Sequence, residues 1–207
     1  MAITFATPNT IAGSLQPKSE TARALNAAVI VVLGTILLTI SAKISIPFIP
    51  VPATFQSLTV AILAGAFGWR LGVATVAIYI VEGLAGLPVF ANGGGAAYVF
   101  SPTFGFIVGW LPMAYVIGLF ADRGAAQRVV PLFGVMVLGD AISFLLGFGW
   151  LIAMSGGAPW IDQTNVLGSA FDIAVRPFLV WDALKMAFAT LTVAGVWAYL
   201  NHRRATR

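Results

Sequence analysis

Apolar residues run along this chain in long blocks, and the breaks between the blocks are few and short. The pattern predicts six membrane helices, at about residues 24–44, 54–67, 71–87, 102–120, 130–154 and 177–200. The block at 54–67 is short for a bilayer crossing, so it is expected to tilt or to be shielded by its neighbours. Three breaks stand out. Ser45 to Pro52 holds three prolines, which excludes helix and imposes extended backbone. Gly83 to Phe106 carries Gly93, Gly94 and Gly95 between Pro88 and Pro102. Glycine disfavours a helix interior and lets backbone come close to a ligand, so this stretch is expected to form one wall of a small-molecule pocket. Ser155 to Arg176 is polar, but Val166, Leu167, Ala170, Phe171 and Ala174 recur within it at helical spacing. A short interfacial helix is expected there.

Small residues mark helix contacts. Ala24, Ala27, Ala28, Gly34 and Ala42 form one edge of the first span, and Gly105 with Gly109 gives the fourth a GxxxG face. The polar start of the chain, residues 1–20, reads as a disordered cytoplasmic tail. It has no charged stretch ahead of an apolar run, so it is not expected to be a signal peptide. Residues 201–207 read as a basic cytoplasmic tail.

Composition fixes the class. The chain is 59% hydrophobic and only 9% charged, with a mean hydropathy of +0.96. Soluble domains carry about 25% charged residues. The fold class is therefore an all-α integral membrane protein, a compact bundle of six transmembrane helices. The net charge of +4 points to no nucleic-acid partner, because the basic residues sit at span ends. With both termini inside, the inner face collects Lys18, Arg23, Arg70, Arg123, Arg128, Arg203, Arg204 and Arg207, and the outer half keeps Lys43, Arg176 and Lys185. This bias predicts an N-in, C-in topology. The three unusual breaks then share the outer face, where the pocket is expected to open.

Several chemistries drop out. No cysteine is present, so there is no disulfide framework and no thiolate. No GxxxxGK[ST] run exists, and none of Lys18, Lys43 or Lys185 follows a glycine, so ATP hydrolysis would need partners. His202 is the sole histidine and lies in the basic tail, which removes histidine-based metal sites and a serine–histidine intramembrane protease. No cofactor is expected.

The ionisable residues within the spans carry the candidate chemistry. Asp182 and Lys185 are three apart on one helix face, roughly 8–12 Å below the start of the last span. Charges at that depth are costly and usually functional. Glu82 and Asp140 fall near mid-span and are expected to play structural roles, with Asp140 below the pocket. A two-aspartate intramembrane enzyme using Asp140 and Asp182 is the alternative. It requires both to meet at one depth, whereas the span positions put Asp182 nearer the outside.

The run Gly83-Leu-Ala-Gly-Leu-Pro-Val-Phe-Ala91, the glycines after it, and Ser101-Pro102-Thr103 with Gly105 resemble the BioY family. The proline loop into Thr54-Phe55-Gln56, the Ala121-Asp122-Arg123 turn, and Pro177-Phe178 with Asp182 and Lys185 fit as well. Members are biotin-specific substrate-capture (S) components of energy-coupling-factor (ECF) transporters. The resemblance covers about residues 24–200, within a six-helix substrate-binding domain at 21–200. It implies high-affinity biotin capture and uptake across the bacterial cytoplasmic membrane. The partners it implies are a transmembrane coupling protein and two cytoplasmic ATPases, and it leaves room for a homo-oligomer. Carried over by position, biotin contacts fall on Asn92, Gly93, Gly94, Gly95, Asp182 and Lys185, with Tyr98 as a further loop candidate. Ala24 and Ala28 match the face that docks on the coupling protein. Phe104 and Phe106 depart from the glycine and tyrosine common in the family, so no hydroxyl contact is expected at 106.

Overall fold

Glycine and proline punctuate the chain much as the pattern predicts. The computed structural model describes residues 6–17 and 19–206. Its helices are α1 (Ile11–Ser14), α2 (Glu20–Lys43), α3 (Gln56–Phe67), α4 (Trp69–Leu84), α5 (Phe104–Asp122), α6 (Val129–Ala153), α7 (Val166–Ala174) and α8 (Leu179–Ala205). α2, α5, α6 and α8 are each long and apolar enough to cross a membrane, so this is a mostly helical, multi-pass membrane protein. The short helix predicted from the 166–174 repeat is α7.

The short helix α3 is shielded. It packs against α2, α4, α5 and α8, and most of its side chains are buried. α5 is the other central helix, set against α3, α4 and α6. Gly105 and Gly109 bring α6 in close. A Cβ on Gly109 would stand 2.8 Å from the Cα of Ser143, and one on Gly105 would stand 2.1 Å from the Cβ of Trp150. The small-residue edge of α2 divides in two. Ala27 and Ala42 are buried inside, and a Cβ on Gly34 would meet Thr75 of α4 at 2.6 Å. Ala24 and Ala28 stay exposed and line a groove beside α4 with Arg70 and Ile78.

The N-terminal tail departs from expectation. Met1 to Phe5, Lys18 and Arg207 lie outside the described residues. Residues 6–17, however, are packed rather than loose. Thr10 caps α1, and Ala6 and Ala12 bury themselves against Ala27, Val31 and Leu71. Alanine is too weakly apolar to betray such a contact in a hydropathy pattern. The Thr7 hydroxyl also donates to the Asp122 carboxylate at 2.8 Å, and the Asn9 amide donates to the Asp122 carbonyl at 2.9 Å. At the other terminus, α8 continues through His202, Arg203 and Arg204 to Ala205. No breaker interrupts it, and cations suit the negative end of a helix.

These contacts sort the connections into two ends. Asp122 reaches Thr7 and the Trp69 amide, and Arg204 reaches the Ser14 carbonyl, so both described termini meet the α3–α4 and α5–α6 turns. The proline loop, the glycine loop and the α6–α8 connection gather at the opposite end. There, strands β1 (Ser45–Ile46) and β2 (Ala53–Thr54) pair antiparallel, the extended backbone that the prolines require.

Candidate functional site

At the loop end the bundle holds two neighbouring cavities of about 60 and 50 Å³. Val51, Pro52, Thr54, Phe106 and Trp110 line both. The proline loop reaches them because the β1–β2 pairing folds it back on itself, and Ser57 follows in the first turn of α3.

The first cavity carries charge. Asp182 and Lys185 form an ion pair one turn apart on α8, with side chains only 6% and 14% exposed. Ser57 joins them: its hydroxyl donates to Asp182 at 2.9 Å and accepts from the Lys185 ammonium at 2.8 Å. Lys185 also donates to the Thr54 carbonyl at 3.1 Å. A buried charge pair persists only when such extra hydrogen bonds satisfy it. Phe106, Trp110 and Phe178 supply apolar walls.

The second cavity is neutral. Gln56, Tyr98 and Thr103 line it. The Gln56 amide donates to the Tyr79 hydroxyl at 2.7 Å, which donates to the Val89 carbonyl at 2.8 Å. Thr103 donates to the Tyr98 hydroxyl at 3.3 Å. Phe90 seals this side, with its ring centroid 5.4 Å from Tyr79 and 4.6 Å from Tyr98.

The predicted site residues thus separate. Asp182, Lys185 and Tyr98 line the cavities, while Asn92 and the three glycines line neither. Asn92 is exposed, and Ala91 is the nearest loop residue to reach a cavity wall. The glycines serve the loop's own packing. The Gly95 amide donates to the Gly83 carbonyl at 2.7 Å, and a Cβ on Gly94 would lie 2.0 Å from the Leu87 carbonyl oxygen.

Asp140 requires a correction. It was expected below the pocket, yet it lines the same cavity as Asp182. The reason is that span positions count residues along each helix separately, whereas α6 and α8 pack side by side and bring both carboxylates to one cavity wall. Ala170, Ala174 and Phe178 pack with Leu151 and Val51 in a cluster that borders this cavity. Glu82 lines neither cavity and accepts from the Thr35 hydroxyl at 3.3 Å. Sequence reasoning also missed Ser57 and Thr54. Their signal was present, as polar residues where an otherwise apolar helix begins, but a serine in a membrane helix most often bonds its own backbone.

A fixed carboxylate–ammonium pair in an apolar cleft offers an acceptor and a donor side by side. That suits recognition of a polar, uncharged group rather than bond cleavage. The family model described as the BioY family matches residues 15–202. This chain belongs to the BioY family.

The BioY match spans α2 through the body of α8, and hence every residue of both cavities. A probable biotin transporter BioY of Lysinibacillus sphaericus is 41% identical over 180 residues, covering 86% of this chain and 90% of that one. The probable biotin transporter BioY of Pyrococcus horikoshii is 32% identical over 163 residues, covering 78% of this chain and 90% of that one. Among solved structures, the 2.1 Å crystal structure of the S-component for biotin from an ECF-type ABC transporter matches with a TM-score of 0.70 and 24% identity. It covers 84% of this chain and 92% of that one, and shows that the fold is shared. The BioY relatives are transporters, not enzymes. The two-aspartate enzyme finds no support: Asp140 and Asp182 share a cavity, but Asp182 is already committed to Lys185 and Ser57.

Proposed function

We propose that this protein captures biotin with high affinity and serves its uptake as the S component of an ECF-type transporter. The buried Asp182–Lys185–Ser57 cluster carries this reading. Biotin offers a ureido ring with two N–H donors and one carbonyl acceptor. Asp182 accepts from a ureido N–H, and Lys185 donates to the carbonyl. Apolar walls flank the ring, and Tyr98 lies toward the neutral cavity. The two cavities fall short of the roughly 300–1,000 Å³ usual for ligand pockets. Phe106 and Trp110, which line both, therefore shift to merge them when the ligand enters. Asn92 and the Gly93–Gly95 backbone then close over the mouth. Titration calorimetry on purified protein tests this directly: biotin should bind tightly with nothing turned over, and absence of binding would end the proposal.

The bundle is read as six spans, α2 to α6 with α8, with both termini in the cytoplasm of a bacterial cell and the cavities opening outward. The lysine and arginine bias supports this orientation. Because the chain lacks cysteine, single substitutions report cleanly. On whole cells, an impermeant thiol reagent should label Ala96→Cys and Gln163→Cys but not Gln127→Cys or Thr206→Cys. The reverse pattern would overturn the orientation.

Energised uptake then depends on a transmembrane coupling protein and two cytoplasmic ATPases. The exposed Ala24 and Ala28 form the docking face, since small side chains let another helix approach. Ala24→Leu with Ala28→Leu should leave biotin affinity within about twofold, under ~0.5 kcal/mol, while uptake falls.

A further inference from the structure

The charged cavity holds a third ionisable group that the ion pair does not use. Asp140 is 7% exposed and lines the cavity together with Ser143 and Phe144 on the same face of α6. Its carboxylate has no hydrogen-bond partner among the described residues. The hydroxyls within reach of the cavity are spent elsewhere. Ser57 is shared between Asp182 and Lys185, and Ser143 donates to the Phe106 carbonyl at 3.2 Å. Lys185, the cation that acts on Asp140, is already matched by Asp182. A carboxylate so buried and so free of partners, in a cavity wall, is placed to receive a donor from outside the protein.

A cyclic urea brings two N–H donors, one on each side of its carbonyl. Asp182 serves one of them, and Lys185 serves the carbonyl. The second N–H needs its own acceptor, because a buried donor without one is unfavourable. We propose that Asp140 is that acceptor, so that two carboxylates on α6 and α8 grip the two N–H groups of the ureido ring across Lys185. This inference rests on the biotin reading above. It adds a specificity element: the site selects an unsubstituted cyclic urea and rejects rings in which either nitrogen is capped.

Calorimetry with biotin and its two mono-N-methylated ring analogues tests the assignment. Asp140→Ala should weaken biotin about tenfold, the scale of one charge-assisted hydrogen bond. Asp140→Asn keeps the size and one acceptor oxygen. It should lose roughly three- to tenfold and guards against a folding defect, which thermal unfolding would reveal. The decisive readout is coupling. One methylated analogue should bind poorly to wild-type protein, yet lose no more than about threefold further in Asp140→Ala, because the bond is already gone. The other should remain fully sensitive to the substitution. Wild-type affinity for biotin in Asp140→Ala, or losses that simply multiply for both analogues, would overturn this inference alone. Wild-type protein that binds no biotin would overturn the function as well.

Discussion

Two loops meet at the open end of the bundle, and they do opposite jobs. The glycine loop, Gly83 to Phe106, has the composition expected of a ligand wall. Its glycines nevertheless bond within the loop itself: the Gly95 amide donates to the Gly83 carbonyl, the Gly93 amide donates to the Phe90 carbonyl, and Gly94 leaves no room for a side chain beside the Leu87 carbonyl. The proline loop looks like a mere connector. Yet Val51, Pro52 and Thr54 line both cavities, and the Thr54 carbonyl and the Ser57 hydroxyl hold Lys185. A run of glycines reports that backbone comes close to something. It does not report whether that something is a ligand or the same chain. Prolines fix a path, and a fixed path can hold a polar group where a ligand needs it.

If the proline-loop side carries recognition, damage there should outweigh damage to the glycine loop. The largest effect belongs to the pair that the proline loop supports. Removing one member of a buried pair leaves the other charge unmatched, typically a loss of about 2–5 kcal/mol. Asp182→Asn and Lys185→Met should each weaken biotin binding roughly 30-fold or more by calorimetry, at ~1.4 kcal/mol per tenfold. Near-wild-type affinity in both would remove the pair from the site. Ser57→Ala should come next. The ion pair survives, but each partner loses one hydrogen bond, so affinity should fall about tenfold. No change on Ser57→Ala would mean that the serine is a spectator and that the proline loop only fills space.

Much of this was legible beforehand, and the failures have identifiable causes. Helix positions followed from hydropathy because the bilayer requires long apolar runs, and α7 followed from a single repeat of apolar spacing. Asp182 and Lys185 were legible because charge within a membrane helix is rare. Depth was not. It depends on how α6 and α8 pack against each other, a tertiary contact that no periodicity encodes, and the place of Asp140 in the cavity wall turns on it. The packing of residues 6–17 was hidden for a related reason: Ala6 and Ala12 are buried by shape, not by strong hydrophobicity.

The glycine loop supplies the smallest and most discriminating effect. Asn92 is exposed and can touch ligand only when the loop closes, so the proposed closure gives it one neutral hydrogen bond at the cost of ordering the loop. Asn92→Ala should weaken biotin about three- to tenfold, near 1 kcal/mol, and should leave thermal stability unchanged. Gly94→Ala should do the reverse. Its new methyl group collides with the Leu87 carbonyl, a backbone atom that cannot swing aside, so the loop must shift as a whole. The melting temperature should drop by several degrees, while the affinity of the protein that stays folded remains within about threefold, since no cavity-lining group is altered. A Gly94→Ala protein that is fully stable but blind to biotin would reverse the comparison. It would make the glycines part of the ligand surface, and the proline loop the frame that presents them.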